Sequence, residues 1–154
     1  MKVLMSRIAI LSRICAGLVF IFSGFVKAVD PLGSTYKFID YFHAFNLPWL
    51  EQAAFPLAIL LSGSEFLIGV CLLLFIRNKL ANWGALLFMA GFTPLTFWLA
   101  LTNPVQDCGC FGDAIILSNW QTFYKNILIS ALVIISFIYR NSTKHWMSIK
   151  AEWV

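Results

Sequence analysis

Apolar residues in this chain come in four long runs broken only by isolated small or charged positions, and polar residues gather in the short stretches between them. A helix rises about 1.5 Å per residue and bilayer hydrocarbon is about 30 Å thick, so runs of about twenty apolar residues predict membrane-crossing helices. The pattern places them at about Ile8–Ala28, Ala53–Ile76, Leu80–Leu101 and Asn119–Arg140. Asn103 and Pro104 end the third, because proline lacks an amide hydrogen and disfavours helix in the residue before it. Ser118 with Gln121 three residues on predicts a capping box that opens the fourth. Arg13 interrupts the first run and no small-x-small cleavage site follows, so that run reads as an uncleaved span and not as a signal peptide.

The expected fold class is therefore all-α: a polytopic membrane protein, a single domain over residues 1–154, built as a four-transmembrane-helix bundle. A short interfacial helix is expected between the first two spans. Ser34 is the predicted cap, Asn46 the predicted end, and Pro48 blocks continuation. Tyr36, Phe38, Tyr41, Phe42 and Phe45 crowd this stretch, as in an aromatic belt at headgroup level. A sharper reading makes it a lid over the loop that carries Cys108, sheltering a quinone ring or a partner's thiol.

Composition fits the membrane reading. With 60% hydrophobic and 12% charged residues, and a mean hydropathy of +0.83, 154 residues cannot hide their apolar surface in one soluble core. The net charge of +4 does not point to nucleic acid, because the basic residues sit in ones and twos at the ends of apolar runs. They read as topology signals. Lys2, Arg7, Arg13, Arg77, Lys79, Arg140, Lys144 and Lys150 fall on one side, and Lys27, Lys37 and Lys125 on the other. The positive-inside rule then places both termini and the Arg77–Lys79 turn in the cytoplasm. The expected location is a bacterial cytoplasmic (inner) membrane, with the Cys108–Cys110 loop facing an oxidising space.

Charges inside the spans add a second signal. Arg13, Gly17, Phe20, Gly24 and Lys27 share one stripe of the first helix, and Ala58, Ser62, Glu65 and Gly69 one stripe of the second. Small residues let helices approach closely, so both stripes are expected to face the bundle interior. A lone Glu65 carboxylate near mid-bilayer would be costly, and an Arg13–Glu65 pair is the arrangement expected to relieve it, for packing or for proton delivery. Lys27 and Lys125 are expected to snorkel at the outer interface. Should either approach the Cys108 loop, its charge would favour a thiolate. Asp107 and Asp113 would act in the opposite sense, beyond their role in turn chemistry.

The chemistry-bearing motif is Cys108-Gly109-Cys110 within Asp107-Cys-Gly-Cys-Phe-Gly-Asp113. Two cysteines one residue apart close a tight ring, expected to be strained and easily reduced, which suggests redox chemistry and not a staple. Cys15 and Cys71 lie toward the cytoplasmic side and read as small buried hydrophobes. Phosphate-binding glycine loops, serine elbows and haem-attachment patterns are missing from the sequence.

Arg13, Ser23-Gly24-Phe25 and Lys27, then Glu65 and Gly69, the cysteine loop, Trp120 and Lys125-Asn126 together resemble the MauE/DoxX family of redox-associated membrane proteins, over nearly the whole chain. The resemblance implies a four-helix bundle. It also implies a link to disulfide formation during dehydrogenase maturation in methylamine utilisation, or to sulfur-compound oxidation with quinone in DoxX-type relatives. A looser likeness to DsbB and vitamin K epoxide reductase rests on four spans and exposed cysteines. Those enzymes carry a Cys-x-x-Cys and a second cysteine pair, which this chain lacks.

The function expected is thus thiol-disulfide exchange. Cys108 and Cys110 would pass electrons to or from a thioredoxin-like or substrate protein outside the cytoplasm, with quinone as the candidate cofactor and the lipid membrane, not nucleic acid, as surroundings. One cysteine must attack and the other resolve; the sequence does not order them. Three alternatives are a non-catalytic subunit or scaffold that docks a partner or assists maturation of a periplasmic enzyme, a metal clasp using Cys108, Cys110, His43 and Asp107, and a small-solute transporter using Arg13 and Glu65.

Overall fold

The computed structural model describes residues 2–105 and 108–139. Five helices dominate it: α1 (Lys2–Val29), α2 (Pro31–Ala44), α3 (Glu51–Leu73), α4 (Asn78–Thr102) and α5 (Asn119–Ile138). A 3-10 turn, Pro48–Leu50, precedes α3, and a four-residue strand, β1 (Cys110–Asp113), lies between α4 and α5. Four of the helices, α1, α3, α4 and α5, are long and apolar enough to cross a membrane. Large apolar side chains such as Leu11, Leu18, Leu60, Leu67, Leu87 and Leu128 are each more than half exposed. On a soluble protein that surface would be a liability, whereas on a multi-pass membrane protein it meets acyl chains.

Helix ends follow local chemistry, with one revision. α2 begins earlier than the Ser34 cap expected from the sequence: Asp30 is the N-cap, its carboxylate accepting from the Gly33 N–H at 3.0 Å, and Pro31 takes the first helical position. Proline there gives up an amide hydrogen that has no helical partner anyway, so the helix starts as soon as the chain allows. Ser34 is instead buried on the inner face of α2. Asn46, at φ 57°, turns the chain into the left-handed region after α2, as expected. The capping box at Ser118 and Gln121 is present in both directions and opens α5.

Two helix pairs make the bundle. α1 and α3 pack backbone to backbone: a Cβ on Gly24 would stand 2.5 Å from Phe66 N and 2.7 Å from Ser62 O, so only glycine permits this approach. The expected inner stripe of α3 is buried as a set, Ala58, Ser62, Glu65 and Gly69. α4 and α5 are joined by side-chain hydrogen bonds at three depths: Ser136 to Asn82 at 2.7 Å, Thr93 with Ser130 at 2.9 Å, and Asn126 to Thr96 at 3.2 Å. In hydrocarbon such polar contacts hold helices together where apolar burial gives no driving force. Phe20, Leu72, Ala85, Met89, Ile129 and Val133 fill the core between the pairs. α2 lies across one end of the bundle, its Phe45 ring stacked on Trp98 of α4 at 4.7 Å.

Candidate functional site

Register decides which charges meet. Gly24 faces Ser62 across the α1–α3 interface, and a Cβ on Gly17 would stand 3.2 Å from the carbonyl of Gly69. The antiparallel continuation brings Arg13 opposite Cys71 and Leu72, and Ser23 opposite Glu65. Arg13 therefore does not pair with Glu65, contrary to the sequence expectation. Its Nε donates to the Leu72 carbonyl at 2.8 Å and its Nη2 to the Cys71 carbonyl at 3.3 Å, while the guanidinium lies 4.4 Å from the centre of the Phe75 ring. Glu65 is about seven residues, or roughly 10 Å of helix, from that contact. The C-terminal carbonyls of α3 take two of the Arg13 donors, because the last turn of a helix has acceptors without partners, while Nη1 has no hydrogen-bond partner among the described residues.

Lys27 takes the place assigned to Arg13. Its ammonium lies 2.7 and 2.8 Å from the two Glu65 carboxylate oxygens and 3.1 Å from Ser23 Oγ. Lys27 is 4% exposed, so it does not snorkel to the interface as expected. Burial of a lone carboxylate would cost several kcal/mol, and a lysine one turn beyond Ser23 on the same face of α1 reaches it where snorkelling would leave it bare. All three ammonium donors are thereby used. Ser23 Oγ stands 2.8 Å from Glu65 Oε2 and 2.8 Å from the Cys110 carbonyl. A hydroxyl has one proton to give. Ser23 thus links the buried ion pair to the cysteine turn by donating to one acceptor or the other.

The turn itself folds inward. Cys110 is held at the level of Ser23, six residues or about 9 Å of helix below the end of α1. Cys108 is 6% exposed, which corrects the expectation that both thiols stand open on an outer loop; Cys110 is half-buried. The reason is local: Tyr41 on α2 donates to the Cys108 carbonyl at 2.6 Å, and Ser23 holds the Cys110 carbonyl from the other side. Between them Gly109 has φ +64°, and a Cβ there would stand 2.7 Å from Cγ of Lys37. Glycine is required twice over, by conformation and by space.

Both cysteines are free thiols with their sulfurs 2.7 Å apart. Donation from the Cys108 thiol is the largest influence on the pair: it lowers the Cys110 pKa to about 7, helped by Lys125 and Lys27 against the effect of burial. Cys108 is pushed well up, first by acting as donor to Cys110 and then by burial. Lys125 also sits 4.0 Å from the centre of the Phe111 ring, which in turn meets Phe22 of α1 edge-on. The expected approach of a lysine to the cysteine loop is thus made by two. Asp107 lies outside the described residues, as does the side chain of Asp113.

Two cavities flank Cys110. One of about 40 Å³ lies between α1, α4 and α5 and is bordered by Ser23, Lys27, Glu65 and Lys125. The other, of about 140 Å³, lies under α2 and is bordered by both cysteines and Tyr41. His43 pairs with Glu51 at 2.9 Å, and among the described residues no group of three His, Cys, Asp or Glu side chains is placed to hold a metal. Ser23 and Tyr41 are the site residues that sequence reasoning did not assign; Ser23 was visible in the Ser-Gly-Phe motif, and Tyr41 as one aromatic among five.

A family model, Methylamine utilisation protein MauE, matches residues 5–139. The chain belongs to the MauE family. The match spans all four membrane-crossing helices and the cysteine turn, so the resemblance read from Arg13, Lys27, Glu65 and the cysteine motif is borne out for MauE. No curated protein and no solved structure matches the chain. The coarse assignment is a MauE-family multi-pass membrane protein.

Proposed function

We propose that this MauE-family chain is a thiol-disulfide exchange protein whose Cys108 and Cys110 cycle between dithiol and disulfide. The observation that carries the reading is the sulfur pair, 2.7 Å apart and close to Lys27 and Lys125, with one thiol lowered to about 7 and the other raised. Cys110 is the attacking sulfur, being half-buried and the thiolate-forming member; Cys108, buried behind it, resolves. In the reducing direction, Cys110 thiolate attacks a partner's disulfide, expelling one partner thiolate and forming a mixed disulfide. Cys108 thiolate then attacks the Cys110 sulfur, forming Cys108–Cys110 and expelling the second partner thiolate. The oxidising direction runs the same steps backwards, through the same mixed disulfide at Cys110.

The partner fitting this chemistry is a thioredoxin-like protein, or a substrate protein whose cysteines mature outside the cytoplasm. The distribution of Lys and Arg supports a bacterial cytoplasmic membrane with both termini inside. Buried Cys108 favours one rival, a non-catalytic subunit in which the tucked turn shapes a docking surface. Thiol trapping separates the two. In membranes, Cys108→Ser should accumulate a mixed disulfide at Cys110, and Cys110→Ser none; absence of any trapped species in Cys108→Ser gives the scaffold reading the site.

A further inference from the structure

The cavity under α2 has an unusual wall. Phe38, Leu61, Phe92 and Leu95 make it almost wholly apolar, and both thiols border it. Its polar atoms are mostly occupied: Lys27 gives its donors to Glu65 and Ser23, and the Tyr41 hydroxyl gives its proton to the Cys108 carbonyl. Ser34 is the exception. It is 6% exposed, borders the cavity, and its Oγ has no hydrogen-bond partner among the described residues. The neighbouring Thr35 shows what a helical hydroxyl ordinarily does, donating to the carbonyl four residues back, Pro31, at 2.7 Å. Ser34 leaves that option unused, and a buried polar atom without a partner points to a group from outside the chain.

From these observations we infer that the cavity is a binding site for the ring of a quinone-class molecule, with one ring carbonyl accepting from Ser34. The inference rests on the dithiol-disulfide cycling proposed for Cys108 and Cys110. A volume of about 140 Å³ is below the roughly 300–1,000 Å³ of pockets that take whole drug-sized ligands, so it holds a ring and leaves any tail in the lipid. Four apolar side chains suit the faces of a flat ring, the one unpartnered hydroxyl among a lining that also includes Lys37 suits a carbonyl oxygen, and a dithiol at the wall needs a two-electron acceptor. A folded segment of a partner protein does not fit this space, and a lipid acyl tail would leave Ser34 unsatisfied.

The step balances. Cys108 and Cys110 together lose two electrons and two protons as two S–H bonds break and one S–S bond forms. The quinone takes up both electrons and both protons, its two carbonyls becoming the two hydroxyls of a quinol. Ser34 positions the ring and transfers nothing.

The test uses the full-length protein in its dithiol form, reconstituted in liposomes, with decyl-ubiquinone as the probe and quinol formation and loss of thiols followed together. One quinol per protein is expected in this single turnover, and excess dithiothreitol, supplied to renew the dithiol, turns the same assay into one that reads KM and kcat. Ser34→Ala should raise the KM for quinone about five- to tenfold, the worth of one hydrogen bond, with kcat nearly unchanged. Because it removes an unsatisfied buried hydroxyl, the same variant should melt no lower than the parent when quinone is absent. Equal KM values for Ser34→Ala and the parent, or a lowered melting temperature without quinone, overturn the assignment of Ser34 and its cavity. No quinol from the parent, while Cys108→Ser still traps a partner, overturns the quinone site and leaves thiol exchange standing. No quinol and no trapped partner remove both.

Discussion

α1 carries two buried basic residues, Arg13 and Lys27, and the bundle holds them in different ways. At one end of α1 Arg13 meets no carboxylate among the described residues; it closes the C-terminal turn of α3 through the Leu72 and Cys71 carbonyls and lies on Phe75. At the opposite end, beside the cysteine turn, Lys27 is clamped by both oxygens of Glu65. The difference follows from side-chain chemistry. A guanidinium presents several donors in a planar fork that fits fixed helix-end carbonyls and an aromatic face, whereas an ammonium is a compact point charge that suits a carboxylate. Arg13 is therefore a packing element. Lys27 holds a charge next to a thiol turn, and Ser23 ties the two together.

On that contrast, breaking the Lys27–Glu65 pair has the larger effect. Lys27→Met leaves Glu65 buried and uncompensated and should cost about 3–5 kcal/mol, read as a fall in thermal unfolding temperature in detergent. The double variant Lys27→Met/Glu65→Met should recover most of that loss; failure of the double variant to recover would mean that the loss came from something other than an unpaired Glu65. Arg13→Met should cost less, about 1–3 kcal/mol, because two carbonyls at a helix end lose a donor but no unpaired charge remains. It should also leave Cys110 alkylation rates unchanged, and a change there would make the two ends one coupled system.

Smaller effects sharpen the cysteine site. Alkylation of Cys110 should accelerate with rising pH up to about 7, where its thiolate becomes the major form, and level off above. Cys108→Ala removes the largest cause of that lowering, so the break should move up toward the ordinary thiol range and alkylation at pH 7 should slow; the rate-pH profile decides. Tyr41→Phe deletes the 2.6 Å bond to the Cys108 carbonyl and should cost about 1 kcal/mol, seen as faster amide exchange confined to the cysteine turn.

Much of the cysteine site was legible as a set of residues and little of it as a geometry. The Arg13-to-Lys27 stripe, the Ala58-to-Gly69 stripe and the Cys-Gly-Cys turn are all spacing patterns, and spacing survives in any helix. Partner choice between the stripes depends on the sliding register of α3 against α1, which the close approach at Gly24 fixes and no one-dimensional pattern encodes. Ser34 illustrates the same limit: a good cap by its residue type, it lost that position to Asp30 and Pro31 and turned inward.

By itself, the chain's sequence determined four apolar spans, the cap at Ser118 and the stop at Asn103, the location of the cysteine pair between two spans, and the MauE kinship, because each is a matter of local composition or short-range spacing. Tertiary structure alone decided that Lys27 and not Arg13 neutralises Glu65, that the cysteine turn tucks beneath α2, and that an apolar cavity opens beside both sulfurs. Those outcomes depend on how closely two backbones approach and at what offset, quantities set by the whole bundle at once.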